Sequence, residues 1–419
     1  MIRLALVILV VLSSVGFFNP HAMVSEQLQK LSFFLSILLC FGYGSVNGVS
    51  LRGVKFPRTA FVLLLGGIGL SIIMASAFHT QSLKVSLIAT MPYLFAYGFF
   101  FALMKLDVPR ERLIQAYFGL AAVSTVVYFC NVATVPFNMF GEPIINLESE
   151  DRGIIRIPVV FIEFFPLLAF YAINRWMIDK KKKWFVIYAW ILLMILLSVI
   201  RQVIALTLVL SLLFVMQKMS WKIKALTAAG VVAVVIWVLP LIPMYSAMIE
   251  LSEKQAEENA DEENVRIQSW RYYTYEHQTN ALSPIFGNGM PSFGNSRWGI
   301  QFDSETLESG CFAADVGWAG FFWYFGGIAT AALVYMLISA AVKKKRQENR
   351  YLTYWLVFVM ITSFASGPPL YYWQIVDIVM CLYLVYKKDD DSALITSAGD
   401  SGDAQPRLSY LPKFPQLSK

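Results

Sequence analysis

The run Trp184-Phe-Val-Ile-Tyr-Ala-Trp-Ile-Leu-Leu-Met-Ile-Leu-Leu-Ser198-Val-Ile-Arg201-Gln-Val-Ile-Ala-Leu-Thr-Leu-Val-Leu-Ser-Leu-Leu-Phe-Val-Met-Gln217 contains neither glycine nor proline. Read as one helix it would extend roughly 50 Å, well beyond a hydrocarbon core of about 30 Å. It would also carry Arg201 at its centre, where a charge is costly. Two helices meeting at Arg201 remove both difficulties. Lys180 to Lys183 precede the pair and Lys218, Lys222 and Lys224 follow it. Lysine flanks mark the cytoplasmic side, so the sequence predicts a hairpin with Arg201 at its outer tip.

The rest of the chain extends this pattern. Hydrophobic residues make up 57%, charged residues 15%, and the mean hydropathy is +0.58, whereas a soluble domain carries about 25% charged residues. The expected fold class is an all-α polytopic membrane protein with about twelve transmembrane helices. The apolar segments fall near 2–18, 31–49, 59–77, 85–104, 113–131, 157–177, 184–200, 202–217, 225–243, 316–341, 351–367 and 369–386. The first reads as an anchor rather than a signal peptide, because no small-x-small cleavage site follows it. The organisation is then 1–243 with helices 1 to 9, a large extracytoplasmic loop at 244–315, helices 10 to 12 at 316–386, and a disordered cytoplasmic tail at 387–419.

Charge orients the bundle with both termini inside. Lys105, Arg110, Arg112, Arg175, Lys343 to Arg346, Lys387 and Lys388 join the lysines above on the cytoplasmic face, about 25 of the 34 basic residues in all. The net charge of +6 is therefore a topological bias and carries no implication of nucleic-acid binding. On the outer face arginine leads: Arg152, Arg156, Arg201, Arg266, Arg271 and Arg297. Orientation needs only positive charge, but a phosphate or carboxylate is gripped best by the planar guanidinium fork. For Arg297 the simpler expectation is pairing with the acids of Glu253 to Asn264.

Other polar residues offer weaker signals. Arg156 and Glu163 are seven apart and share a face if one helix includes both; Glu163 then lies one turn inside the membrane. Asp377, midway along the last span, reads as an interhelical contact. His21, His79 and His277 lack metal-ligand spacing, so no metal or other cofactor is expected. Cys130 and Cys311 both fall near the outer face, which leaves a disulfide between them open. Hydrolase, ATPase and dehydrogenase motifs are missing.

Three runs in and beside the large loop carry a resemblance. They are Val265-Arg266-Ile-Gln-Ser-Trp270-Arg271-Tyr-Tyr, then Asn280-Ala-Leu-Ser-Pro284-Ile-Phe-Gly287-Asn-Gly289, then Ala314-Asp315-Val-Gly317-Trp-Ala-Gly320. With the Ser198-to-Gln202 turn, their order resembles the bacterial O-antigen polymerase and ligase superfamily over about 35% of the chain. The resemblance implies a GT-C-like glycosyltransferase of the inner membrane, a Wzy-type polymerase of polysaccharide repeat units. Donor and acceptor would be undecaprenyl-diphosphate-linked glycans, with membrane lipids and a chain-length regulator as further partners. Arg201, Arg266 and Arg271 would stabilise the diphosphate leaving group. Arg152, Arg156, Glu163, Trp270 and Arg297 would bind substrate, and His277 is a base candidate beside Asp303, Glu305 and Glu308. Trp270, Tyr272, Tyr273, Tyr275 and Trp298 are available to stack on sugars. Ligases of the family carry a histidine where this chain reads Asp303-Ser-Glu305-Thr-Leu-Glu308, which favours the polymerase branch. An O-antigen ligase and a lipid-linked oligosaccharide flippase or other secondary transporter remain alternatives; nine spans before the loop and three after it give no matching halves of the kind transporters use.

Overall fold

The computed structural model describes residues 1–15, 26–51, 56–134, 157, 159–217, 220 and 265–387. Met1–Tyr386 forms one compact unit. The described residues are helical and contain no strand. In chain order the helices are α1 (Ile2–Ser14), α2 (Glu26–Asn47), α3 (Arg58–Phe78), α4 (Leu83–Leu106), α5 (Arg110–Thr134), α6 (Phe165–Asp179), α7 (Lys182–Leu197) and α8 (Arg201–Met216). After the undescribed stretch come α9 (Val265–Arg271), α10 (Ser283–Phe286), α11 (Arg297–Ser309), α12 (Gly317–Val342), α13 (Tyr351–Thr362) and α14 (Tyr372–Tyr386). Five helices, α2 to α5 and α12, are long and apolar enough to cross a membrane, and α1, α8 and α14 are shorter apolar helices. The chain is a helical membrane protein.

Apart from the sixth, the predicted segments within the described residues overlap helices, of which α2 to α5 and α12 have the length and apolar character of a span; the segment at 225–243 lies outside the described residues, as do the acidic run before Val265 and the tail beyond Lys387. The hairpin at Arg201 forms as expected. Helix α7 ends at Leu197, Val199 takes a left-handed φ of +56°, and α8 begins at Arg201. The Ser198 hydroxyl turns back to donate to the Ile195 carbonyl at 2.7 Å, occupying an acceptor that the helix end leaves open.

The sixth predicted segment is corrected. Helix α6 starts at Phe165, after a single 3-10 turn at Ile162–Phe164, because Pro166 occupies the first turn, where a missing N–H costs nothing. Glu163 therefore precedes the helix; Arg156, expected to share a helical face with it, lies outside the described residues. The cysteine expectation is corrected too. Cys130 and Cys311 are both free, with Cys311 buried beneath Tyr273, whose hydroxyl donates to the Cys311 carbonyl at 2.8 Å.

The bundle has two chemically different ends. At one, lysine-rich turns are tied together by long side chains reaching for helix-end carbonyls: Arg3 to Asn47 at 2.9 Å, Arg110 to Leu384 at 2.8 Å and Lys343 to Val385 at 3.1 Å. Such contacts are favoured because the carboxy-terminal end of a helix carries partial negative charge. The other end gathers the Arg201 turn, the His79–Ser82 turn and the segment Val265–Val316.

Candidate functional site

A broken helix anchors the segment 265–316. At Gly326 the backbone of α12 leaves helical geometry, with φ +79° and ψ 173°. The break withdraws partners from the carbonyls of Trp323 and Tyr324, which inside a membrane must be satisfied by protein. The Gly287-Asn288-Gly289 segment supplies them: Asn288 N donates to Trp323 O at 2.8 Å and Gly289 N to Tyr324 O at 2.9 Å. Backbones this close exclude side chains. A Cβ on Gly287 would meet Tyr324 O at 2.3 Å, and one on Gly326 would meet Ile285 O at 2.3 Å. The Gly-Asn-Gly run read as a motif in the sequence is thus the patch over a helix break.

The second anchor is the turn after α13. Groups from three other segments bond to four carbonyls of this turn, one of which, Thr362 O, also accepts from Ala365 N at 3.0 Å and Ser366 Oγ at 2.9 Å. Gln202 Nε2 donates to Thr362 O at 2.8 Å, Trp318 N to Ser363 O at 2.9 Å, Trp270 Nε1 to Phe364 O at 2.9 Å, and Gly317 N to Ser366 O at 3.1 Å. The arginine-bearing hairpin tip and the arginine-bearing helix α9 therefore meet at one helix carboxy-terminus, where partial negative charge favours cations. Arg201 and Arg266 are exposed, and Arg271 is ion-paired to Glu276, with Nε to Oε1 at 2.5 Å.

A cluster of histidines and aromatic rings lies beside this turn. Helix α9 continues into a π-helical turn, Tyr272–Glu276, that ends where His277 N donates to Tyr272 O at 2.9 Å. The His277 ring stacks on Tyr272 at 4.7 Å, and its Nε2 stands 3.6 Å from Glu305 Oε2. Burial lowers the His277 pKa and Glu305 partly restores it, so the ring is neutral near pH 7 and can accept a proton. Burial also raises the Tyr272 hydroxyl to about 12. Two base candidates named from the sequence, His277 and Glu305, are thus brought together, while Asp303 lines a separate cleft.

That cleft, about 340 Å³, opens between α11, the middle of α4 and the turn before α14, and is lined by Tyr93, Phe293, Asp303, Phe312, Tyr324 and Tyr371 among others. Its rings, combined with one carboxylate, suit a sugar. Of the aromatics picked from the sequence, Trp270 stacks on Phe364 at 5.7 Å, Trp298 stacks on His79 at 4.1 Å, and Tyr273, though buried, lines this cleft. Tyr275, 79% exposed, keeps its faces open.

The remaining candidates scatter. Arg297 sits in the first turn of α11 on a surface hollow with Asn295 and Gln301, and makes no ion pair among the described residues. The acids expected to pair with it lie outside the described residues, as do Arg152 and Arg156. Glu163 accepts from Gln374 Nε2 at 3.4 Å, and Asp377 accepts from the Tyr117 hydroxyl at 3.1 Å. Among the described residues no group of three or more His, Cys, Asp or Glu is placed to hold a metal ion.

Two residues that the sequence reading passed over are central. His79, the residue after α3, lies flat on Trp298, 8% exposed, with Nε2 3.3 Å from Thr279 Oγ1. Burial pushes its pKa down to about 4, with the Asn288 hydrogen bond acting in the opposite direction. Gln81, 1% exposed, accepts from Ser292 N at 2.9 Å and Ser296 Oγ at 2.8 Å, and donates to Met290 O at 3.0 Å and Ser86 Oγ at 3.0 Å. A short His-Thr-Gln-Ser turn between two spans is the only local signal for either. No protein-family model matches the chain, and no curated protein matches it.

Proposed function

We propose that the chain is a membrane glycosyltransferase that polymerises polyprenyl-diphosphate-linked oligosaccharide repeat units at the outer leaflet of a bacterial inner membrane. In this reading about twelve spans place both termini in the cytoplasm and the 265–316 segment outside. The observation that carries it is the meeting of the Arg201 hairpin with α9 on the carbonyls of Thr362 and Phe364. Gln202 and Trp270 thereby hold the turn that carries Arg201 and the helix that carries Arg266 at one helix end, which supports a shared role for the two arginines.

The chemistry follows from that grouping. An acceptor-sugar hydroxyl attacks the anomeric carbon of the donor; the new glycosidic C–O bond forms as the bond to the diphosphate breaks. The electron pair leaves with the diphosphate, whose growing charge Arg201 and Arg266 stabilise. The hydroxyl proton passes to His277, and Glu305 steadies the imidazolium that results.

A secondary transporter is the second reading, because discontinuous helices such as α12 build transporter sites. Here the carbonyls of Trp323 and Tyr324 are occupied by the Asn288 and Gly289 amides rather than left to coordinate an ion, which favours the enzyme. The test is purified protein in nanodiscs supplied with undecaprenyl-diphosphate repeat units. A product ladder that disappears in Arg266→Ala, with unchanged melting temperature, is expected. Transfer of a single finished glycan would identify a ligase. Repeat units crossing a sealed bilayer without a ladder would overturn the enzyme reading.

A further inference from the structure

The cleft bounded by α11, α4 and the turn before α14 has a lining that discriminates by charge. Seven aromatic rings line it, and the Asp303 carboxylate is its one charged side chain among the described residues. Tyr93, Tyr273, Phe302 and Tyr324 are each at most 7% exposed and form the floor, which reaches ten residues into α4, about 15 Å from the helix start. Phe293 and Phe312, 42% and 41% exposed, stand at the mouth with the exposed Asp303. Trp323 covers one face of Phe302 and Trp373 one face of Tyr371, each at 4.7 Å, which steadies these rings and leaves each a second face.

Asp303 is uncommitted. Its carboxylate has no hydrogen bond or ion pair among the described residues: Thr306 donates its hydroxyl to the Asp303 backbone carbonyl at 2.9 Å, and it is Glu305 that faces His277. Arg297, on the same helix, lines a different hollow. Three kinds of ligand can then be weighed. An anion would meet like charge. A neutral ring would stack on the aromatics but leave the carboxylate unbalanced as water is displaced, which is costly. An ammonium group meets both demands: it makes charge-assisted hydrogen bonds to the carboxylate and is drawn to ring faces, most strongly where water is excluded. The volume of about 340 Å³ is at the small end of the range for small-molecule sites, about 300–1,000 Å³, so the ligand is a head group or a single ring rather than an extended chain.

We propose that this cleft binds a ligand group bearing a primary ammonium, held between the Asp303 carboxylate and the aromatic rings. Two sources carry that chemistry: an unacetylated amino sugar and the ethanolamine head group of a phospholipid. Binding needs no glycosyl transfer, so the proposal stands apart from the polymerase reading. If both hold, the cleft makes the enzyme selective for repeat units with a free amine.

The test uses full-length protein in nanodiscs of phosphatidylglycerol alone, a lipid without an ammonium group. Glucosamine, N-acetylglucosamine and glucuronic acid are titrated in at about pH 6.5 and binding is read by ligand-observed NMR, with protein-free discs subtracted. Glucosamine should bind about tenfold more tightly than N-acetylglucosamine, which has the same ring without the charge. Asp303→Asn, at an exposed position, should abolish that preference with unchanged melting temperature, and Phe312→Leu should reduce it. Phosphatidylethanolamine added to the discs distinguishes the sources: displacement of glucosamine identifies the lipid head group as the occupant, and no displacement identifies the amino sugar. Equal binding of glucosamine and N-acetylglucosamine, tighter binding of glucuronic acid, or a preference that survives in Asp303→Asn would overturn the proposal. A preference for glucosamine in a protein that makes no ladder would leave this site standing and remove the polymerase; a ladder without the preference would do the reverse.

Discussion

The imidazole of His79 lies on the indole of Trp298 with ring centroids 4.1 Å apart and planes 9° from parallel. It joins the end of α3 to α11 across more than two hundred residues of sequence. The stack needs a neutral ring, because burial holds the His79 pKa at about 4, below the ordinary value of 6.5. A group whose folded pKa is depressed contributes stability in full above its unfolded pKa and loses it as pH falls. The loss should run from about pH 6.5 down to about 4. His277 is depressed in the same direction by burial, and its contribution has the same sign. Melting temperature measured between pH 7 and 4 should fall less steeply in His79→Phe, which keeps an aromatic face and cannot charge. Parallel curves for the two proteins would show that His79 does not carry the acid sensitivity.

Gly326→Ala should be among the most damaging single-methyl additions in the chain. The residue holds φ +79°, and a Cβ there would lie 2.3 Å from Ile285 O and 2.4 Å from Gly287 N. Left-handed backbone strain and the forced separation of two backbones together cost roughly 3 kcal/mol or more. Gly294, with φ +70° and open space around its Cβ position, is the control, and Gly294→Ala should cost only about 1 kcal/mol. Unfolding in detergent distinguishes them; equal losses would mean that the Gly287 approach contributes nothing.

These positions also show what can be read from a linear chain. The Arg201 hairpin was legible because hydropathy, helix length and flanking lysines are local quantities. The start of α6 was not, since two prolines, Pro158 and Pro166, compete for the first turn and only packing chooses the second. The break at Gly326 hides in an apolar run where glycine is common, and its meaning depends on Gly287 thirty-nine residues earlier. Gln81 has partners 209 to 215 residues away. Arginine-rich composition was visible; that the turn carrying Arg201 and the helix carrying Arg266 meet at one helix end was not, because Gln202 and Trp270 make that connection through backbone carbonyls.

Gln81→Leu should loosen the 290–300 segment without dissolving the bundle. The substitution removes both the acceptor for Ser292 N and Ser296 Oγ and the donor for Met290 O, at a site only 1% exposed. Orphaned buried groups cost about 1–3 kcal/mol each. Limited proteolysis should cut near Ser292 to Ser296 in the variant while the helices stay protected. An unchanged digestion pattern would show that Gln81 is dispensable for holding the segment.

The arginines should not be equivalent. Arg201→Lys and Arg266→Lys keep the charge but lose the planar fork, so the proposed polymerase should slow by roughly 10²–10³-fold, the range seen when one oriented donor to a developing anion is removed. The Nε of Arg271 is already engaged by Glu276 at 2.5 Å, and both side chains are about half exposed, at 53% and 47%. An exposed pair of this kind contributes little to stability, and it holds the guanidinium against Glu276. Arg271→Lys should therefore cost less than about tenfold while leaving melting temperature unchanged. Ladder formation by the three variants, compared at equal folded protein, separates the roles. If Arg271→Lys is the most severe, the leaving-group contact belongs to Arg271, and its pairing with Glu276 must open when substrate arrives.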